Sequence, residues 1–477
     1  MPPRAPDVVV VGGGIAGLSA AWELSRAGAE GRHGHVTVLE SSAQVGGKLR
    51  SEPFAGRVVD LGADAFLTRR NEAVELCAEL GLESELVAPA TGAAYVWARG
   101  RLRALPAGLA LGVPTRIGPL ARSGILSPVG LARAALDAAP LGGGRRPEPE
   151  GDAPIGPLVE HRLGRQVLER LADPLIGGIH AGSARDMSAA AVFPDLLHAA
   201  RRRGSLMRNL RPPAPAGPQR DAPAGPVFLG LRGGMAVLVE RLRQALVERG
   251  VTVQSDRPVS ALRRRGRWHL EGPNGETTEA DAVVLATPAF ATARLVRHES
   301  PGLCELLSSI DHASVTLVTM RFDERAIGPL PPGSGMLVPR TGGGMVTACT
   351  WLSAKWPELA RPGEVLVRVS LGRYGDSRAD ELDDDAVVER ACGELAGPMA
   401  ISAPPGEAMV VRFAGAFPQY RVGHLGLVAA MEREAAQLGG LALAGSALQG
   451  VGIPACIASG RRAARSVSGH LEQTARR

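Results

Sequence analysis

The sequence predicts an α/β fold, and three observations predict it. Four valines, Val8–Val11, run into Gly12, Gly13 and Gly14. Apolar residues at helical spacing follow at once, from Ile15 to Leu24. The segment HVTVLE then reads as a second strand ending on Glu40. Strand, glycine turn, helix, strand and acid in this order form the plan of a Rossmann-like dinucleotide-binding unit.

Each element has a physical reason. Val8–Val11 lacks polar alternation, as expected of a parallel strand covered on both faces. Gly12, Gly14 and Gly17 have the G-x-G-x-x-G spacing. The first glycine permits the tight turn, the second lets the backbone approach a pyrophosphate, and the third lets the helix pack closely on the strand. The helix start at Ile15 and Ala16 then offers unpaired N–H groups to the anion. Glu40, a little over twenty residues beyond Gly17, stands where an acid accepts hydrogen bonds from a ribose. Taken singly, the glycines could be a turn without a ligand and Glu40 a solvated acid; their order favours the dinucleotide.

Composition narrows the class. The chain has 477 residues, 45% hydrophobic and 21% charged, which suits a globular protein of two domains. The first strand begins too early for a cleavable apolar leader, so no signal peptide is expected. The uncharged stretch 435–460 is interrupted by Gln437, Gln449, Pro454 and glycines, and reads as buried strand, loop and helix rather than a membrane span. Five scattered cysteines without a C-x-x-C pair point to reduced thiols in the cytoplasm and no metal site. A net charge of +6 favours anionic partners. The basic run Arg201–Arg211 lacks the aromatics that stack bases, so nucleic acid is not expected.

Segments near Gly142 and Pro212, rich in Pro, Gly and charge, read as linkers. A helix is predicted after Gly234, strand pieces over 251–272, and another buried strand in DAVVLATP. LALAGSALQGVGIPACIASG repeats the opening plan of strand, glycine loop and helix. A discontinuous dinucleotide-binding domain is therefore expected from 1–95, 227–296 and 425–477. A second α+β domain would take 96–226, read as helical, and 297–424, read as strand-rich.

These residues carry a family resemblance. GGGIAGL, Glu40, GGKLRS and LGADAF in this order resemble the flavin amine oxidase superfamily. GVGIPACIASG, DPLIGGIHAGSARDMS and FPQYRVGHL resemble its protoporphyrinogen/coproporphyrinogen oxidase branch, and the likeness spans nearly the whole chain. The resemblance implies an amine-oxidase-like architecture with a Rossmann-like FAD-binding domain and a substrate domain. It implies non-covalent FAD held by Gly12, Gly13, Gly14, Ile15, Ala16 and Gly17 at the pyrophosphate, with Glu40 at the adenosine ribose and Lys48 near ribose and phosphates. Gly62, Ala63 and Asp64 would pass beside the flavin. Val259 would meet adenine through its backbone, and Val451, Gly452 and Ile453 would face the flavin N1–C2=O edge. Gly178 and His180 would lie over the tetrapyrrole. No acid–base residue is assigned.

The implied reaction is oxidation of a porphyrinogen by dioxygen with release of hydrogen peroxide, in haem biosynthesis. Coproporphyrinogen III is favoured over protoporphyrinogen IX because Ala94 replaces an arginine that protoporphyrinogen-type enzymes use to hold a propionate. Arg99, Arg101 and Arg103 are alternative carboxylate contacts, or simply surface charge. Phe413 stands where relatives often carry a tryptophan near the flavin. Peripheral membrane contact or a downstream chelatase is compatible with this branch, and the oligomeric state is left open. An amine oxidase would want aromatic rings beside the flavin, and the chain has three tyrosines. A carotenoid desaturase would want an apolar, membrane-adjacent tunnel. A flavoprotein without catalysis is the third alternative.

Overall fold

A computed structural model describes residues 5–29, 34–138, 151–212 and 225–476. The two segments read as linkers lie mostly outside these residues. The elements that frame the site are, in chain order, strand β1 (Val8–Val11), helix α1 (Ile15–Ala29), strand β2 (Val36–Leu39), helix α2 (Asp173–His180), strands β3 (Thr252–Gln254), β4 (Ala282–Leu285) and β5 (Leu441–Leu443), and helix α3 (Ile453–Ala475). The five strands form one sheet in the order β3-β2-β1-β4-β5, every pair parallel. This is the 3-2-1-4-5 order of dinucleotide-binding sheets, with its reversal between β1 and β4.

The valine run explains the central strand. Val8 and Val10 enter one hydrophobic cluster, beside Leu18, Trp22 and Ile457, while Val9 and Val11 enter another, beside Trp268 and Met431. None of the four exceeds 4% exposure. Burial of this kind is worth about 1.5–3 kcal/mol per side chain at most, and it requires both faces of β1 to be apolar.

Two glycines set the closeness of the helical layer. A side chain at Gly17 would strike the carbonyl oxygen of Gly12 at the end of β1. One at Gly460 would strike the carbonyl oxygen of Ala16, so α3 rests directly on the start of α1.

A second, seven-stranded sheet runs in the order 407–418, 312–323, 364–371, 346–351, 335–337, 95–98 and 101–104. One of its faces packs on the helix Asp384–Met399 through Val318, Met320, Leu395 and Met399. The region 117–210 is helical, as the sequence suggests. The stretch before it is not: 95–104 is a β-hairpin at the edge of the larger sheet. Arg99 and Gly100, at φ +55° and +69°, make its two-residue turn. Arg101 and Arg103 alternate with Leu102 and Ala104, a strand signal only four residues long.

Candidate functional site

The loop after β1 is held by the acid that ends β2. Gly13 N donates to Glu40 Oε2 at 2.7 Å. Glu40 Oε1 accepts from Ser42 N at 2.8 Å and from the hydroxyls of Ser41 and Ser42. The carboxylate is buried and supplied with donors by its own chain, so a ribose hydroxyl would have to join or displace the Ser42 contact. Gly46 N donates to Gly13 O at 2.8 Å, which ties the GGK segment to the turn.

Glycine at position 12 is demanded by φ +105° and by contact with Ala286 O. Gly14 is different. Its φ is ordinary and a Cβ built on it meets nothing within 4 Å. Gly452 is similar, its nearest neighbour being Pro454 Cδ at an ordinary 3.8 Å. Neither place needs a left-handed backbone and neither Cβ would clash; each glycine immediately precedes a helix, Gly452 as the N-cap of α3, a position that glycine suits better than alanine.

Beyond the GGK segment the wall continues without a break. Lys48 is exposed, yet its ammonium donates to Ala416 O and lies 5.7 Å from the centre of the Phe417 ring. Crowding by protein lowers its pKa, against a smaller opposing effect from Cys456. Gly62 sits between Lys48 O and Phe413 Cζ, 2.7 and 3.5 Å from where its Cβ would be. Asp64 turns its side chain elsewhere. Its carboxylate binds Lys355 at 2.8 Å, Trp356 Nε1 at 3.0 Å and Arg368 at 3.3 Å. Burial raises its pKa, but Arg368 and Lys355 outweigh burial and hold it at about 2. Asp64 is thus committed to Lys355, Trp356 and Arg368, and Ala63 adds no polar group.

The opposite wall is the loop Gly450–Ile453 at the start of α3, with Pro454 in its first turn. Gly450 N donates to Tyr420 Oη at 2.8 Å, and Tyr420 Oη donates to Ser446 O. Tyr420 stacks on His424 at 4.1 Å, and His424 Nε2 contacts Leu448 O at 2.8 Å. Cys456 lies under the loop, its thiol pushed up to about 11 by burial. Val259 is half-buried beside the cluster beneath β1 and β2, two residues after Arg257, whose N–H binds Glu40 O.

At the end of α2, Gly178 is exposed and packs near Leu337, whereas His180 is buried, 5.8 Å from Tyr420. Burial lowers the His180 pKa to about 4, and its Nδ1 has no partner. Among the described residues no cluster of side chains could hold a metal, and no helix is long and apolar enough to cross a membrane.

A family profile for flavin containing amine oxidoreductases matches residues 15–468. The chain belongs to the flavin-containing amine oxidoreductases. Coproporphyrinogen III oxidase of Bacillus subtilis is 33% identical over 462 residues, covering 96% of this chain and 96% of that one. The enzyme of the same name from Mycobacterium bovis is 35% identical over 474 residues, with 98% of each chain covered. A crystal structure from Exiguobacterium sp. 255-15 superposes with a TM-score of 0.85 at 30% identity, covering 97% of this chain and 98% of that one. Reduced UDP-galactopyranose mutase shares the fold at a TM-score of 0.74 and 16% identity.

A flavin is the cofactor of this family, and the cleft of this flavin amine oxidoreductase fits one. Gly13 is tied to Glu40 and to Gly46, and Gly62 sits against Lys48 O and Phe413, while Val451 and Gly452 lead into α3 at Ile453. Sequence reasoning passed over Tyr420, Arg368 and Lys355. Tyr420 was visible only as a motif letter, and the two cations only as surface charge. Arg99 donates to Gly124 O and Leu126 O and so braces a loop of the helical region, while Arg103 donates to Ala98 O within the hairpin. Arg101 is exposed.

Proposed function

We propose that this protein is an FAD-dependent coproporphyrinogen III oxidase of haem biosynthesis, forming coproporphyrin III, with dioxygen as acceptor and hydrogen peroxide as by-product. The observation that carries the proposal is the full-length likeness to enzymes of that name, joined to the open Cβ positions at Gly14 and Gly452. Gly12, Gly13, Gly14, Ile15, Ala16 and Gly17 would hold the pyrophosphate, Glu40 the ribose, and Val259 the adenine. Lys48, Gly62, Ala63, Val451, Gly452 and Ile453 would border the flavin, with Asp64 fixing the 62–64 backbone through Lys355 and Arg368. Gly178 and His180 would border the tetrapyrrole, His180 through its apolar surface because burial keeps it neutral. We assign the FAD-binding domain to 1–95, 227–296 and 425–477, and the substrate domain to 96–226 and 297–424.

When bound, FAD supplies a two-electron acceptor that dioxygen restores. Porphyrinogen and porphyrin differ by six electrons and six protons, so one turnover uses three dioxygen molecules and gives three of hydrogen peroxide. The chain's own part would be to bind and orient both molecules. FAD is held without a covalent link: Cys456 lies beneath the loop, beside Gly450 O and Val451 O at 3.9 Å. A cytoplasmic location goes with this proposal, and the five cysteines are all free.

Anaerobic titration with coproporphyrinogen III should bleach the bound flavin, and admitting oxygen should restore it with peroxide and coproporphyrin III. A flavin that stays oxidised would overturn the proposal. Ala94, half-buried beside the hairpin, supports coproporphyrinogen over the second substrate, protoporphyrinogen IX. A higher kcat/KM for protoporphyrinogen would reverse that preference and leave a porphyrinogen oxidase.

A further inference from the structure

Four arginines are buried among the described residues: Arg57, Arg368, Arg373 and Arg461. Three of them meet a carboxylate, Arg57 on Glu364, Arg368 on Asp64 and Arg461 on Glu79. Arg373 does not. It is 7% exposed, its Nη2 donates only to the carbonyl oxygens of Gly344 and Val346, and its Nε has no partner. A buried guanidinium without a counter-ion is costly, and natural structures usually pair one.

Arg373 lines a recess of about 430 Å³ shared with Arg340, Gly343, Gly344, Gly375, Asp376, Ser377 and Arg378. The acids nearby are committed to its other cations. Asp376 binds Arg378 at 2.7 Å and Asp173 binds Arg340 at 3.2 Å. Glu394 accepts the amides of Met345 and Val346 at 3.0 and 2.9 Å. Burial, and after it the like charge of Arg340, disfavours the Arg373 cation. Gly343 and Gly375, at φ +70° and +79°, leave open space where side chains would have filled the recess. A buried arginine with donors to spare and a mouth bare of side chains suit one planar, bidentate anion.

We propose that this recess is a binding site for a carboxylate group. Its floor is joined to the end of α2: Tyr374 N donates to Ala181 O at 2.6 Å, and Arg340 Nη2 donates to Gly182 O at 2.7 Å. Two sources offer that chemistry, a propionate of the tetrapyrrole and a small free dicarboxylate. Only the first rests on the proposed function.

Binding is read without turnover on the flavin-loaded protein, with succinate by calorimetry and coproporphyrin III by fluorescence. Wild type is compared with Arg373→Gln and Ser377→Glu at about 0.15 M salt, where charges more than about 8 Å apart are largely screened. Ser377 is exposed, so its variant folds even where Arg373→Gln fails, and its carboxylate occupies the mouth. At least a fivefold weakening in Ser377→Glu of one probe is expected. Succinate weakened identifies a free dicarboxylate site, and coproporphyrin weakened identifies a propionate site. If neither weakens fivefold in Ser377→Glu, or succinate and coproporphyrin both fail to bind wild type, the carboxylate site is overturned. A protein that oxidises porphyrinogen can still fail this test, and one that does not can still bind succinate.

Discussion

Glu40 Oε2 accepts the Gly13 amide at 2.7 Å, so the acid of the second strand clamps the turn that follows the first. Hydrogen bonds to a charged group are worth about 1.5–3 kcal/mol. Glu40→Ala should therefore destabilise even the flavin-free protein by about that amount in urea titration, besides lowering flavin content. An unchanged apoprotein with flavin lost would mean that Glu40 serves the ligand alone.

Gly14→Ala and Gly452→Ala separate ligand approach from folding. Neither Cβ meets a clash, and a compatible Gly→Ala change stabilises by about 0.4–1 kcal/mol through the unfolded chain. Glycine is preferred to alanine at a helix start, which offsets that gain, so both variants should hold the melting temperature of the apoprotein near that of wild type while binding flavin at least tenfold more weakly. Gly17→Ala should do the reverse of this at the first step, costing about 3 kcal/mol or more by overpacking against Gly12 O.

Asp60 and Asp64 should give stability opposite slopes with pH. Burial raises Asp60 to about 6 despite its bonds from Ser51 and Met235 N. Its contribution is complete below the free-aspartate value near 3.8 and is lost as pH rises through about 6. Asp64, held at about 2, contributes above 3.8 and loses that contribution as pH falls through 2. Asp60→Asn keeps the acceptor and should flatten the fall between pH 4 and 6, worth about 1–3 kcal/mol. Melting temperatures across that range check it.

Tyr420→Phe removes the hydroxyl that joins Gly450 N to Ser446 O. Two hydrogen bonds are lost in a buried place, about 1–3 kcal/mol. Flavin affinity should fall about threefold to thirtyfold as the 450–453 loop loosens, with the visible flavin spectrum broadened. An unchanged dissociation constant would show the loop to be held by α3 alone.

The parallel sheet was legible because period and punctuation agreed: an all-apolar strand, then glycines, then 3.6-residue spacing. The same agreement disclosed β5 and the start of α3. The hairpin 95–104 was passed over although Arg101-Leu102-Arg103-Ala104 alternates as a strand does, because four residues of alternation are a short signal beside the helical spacing that follows. The glycine wall of the site was readable from spacing. The Asp64–Lys355–Arg368 network was not, since Asp64 stands 291 residues before Lys355 and no local pattern links it to either cation. Glu40 was found for a ribose contact, while its bond to Gly13 could be seen only in three dimensions.

Gly460 lies against Ala16, and β5 sits beyond β4, so the first and last parts of the sheet complete each other. A ribosome makes residues 8–17 early and 441–475 more than four hundred residues later, roughly 20–90 s at ordinary rates. For that time the strands of the sheet lie unequally exposed, and β4 gains its neighbour β5 only when the last tenth of the chain has been made.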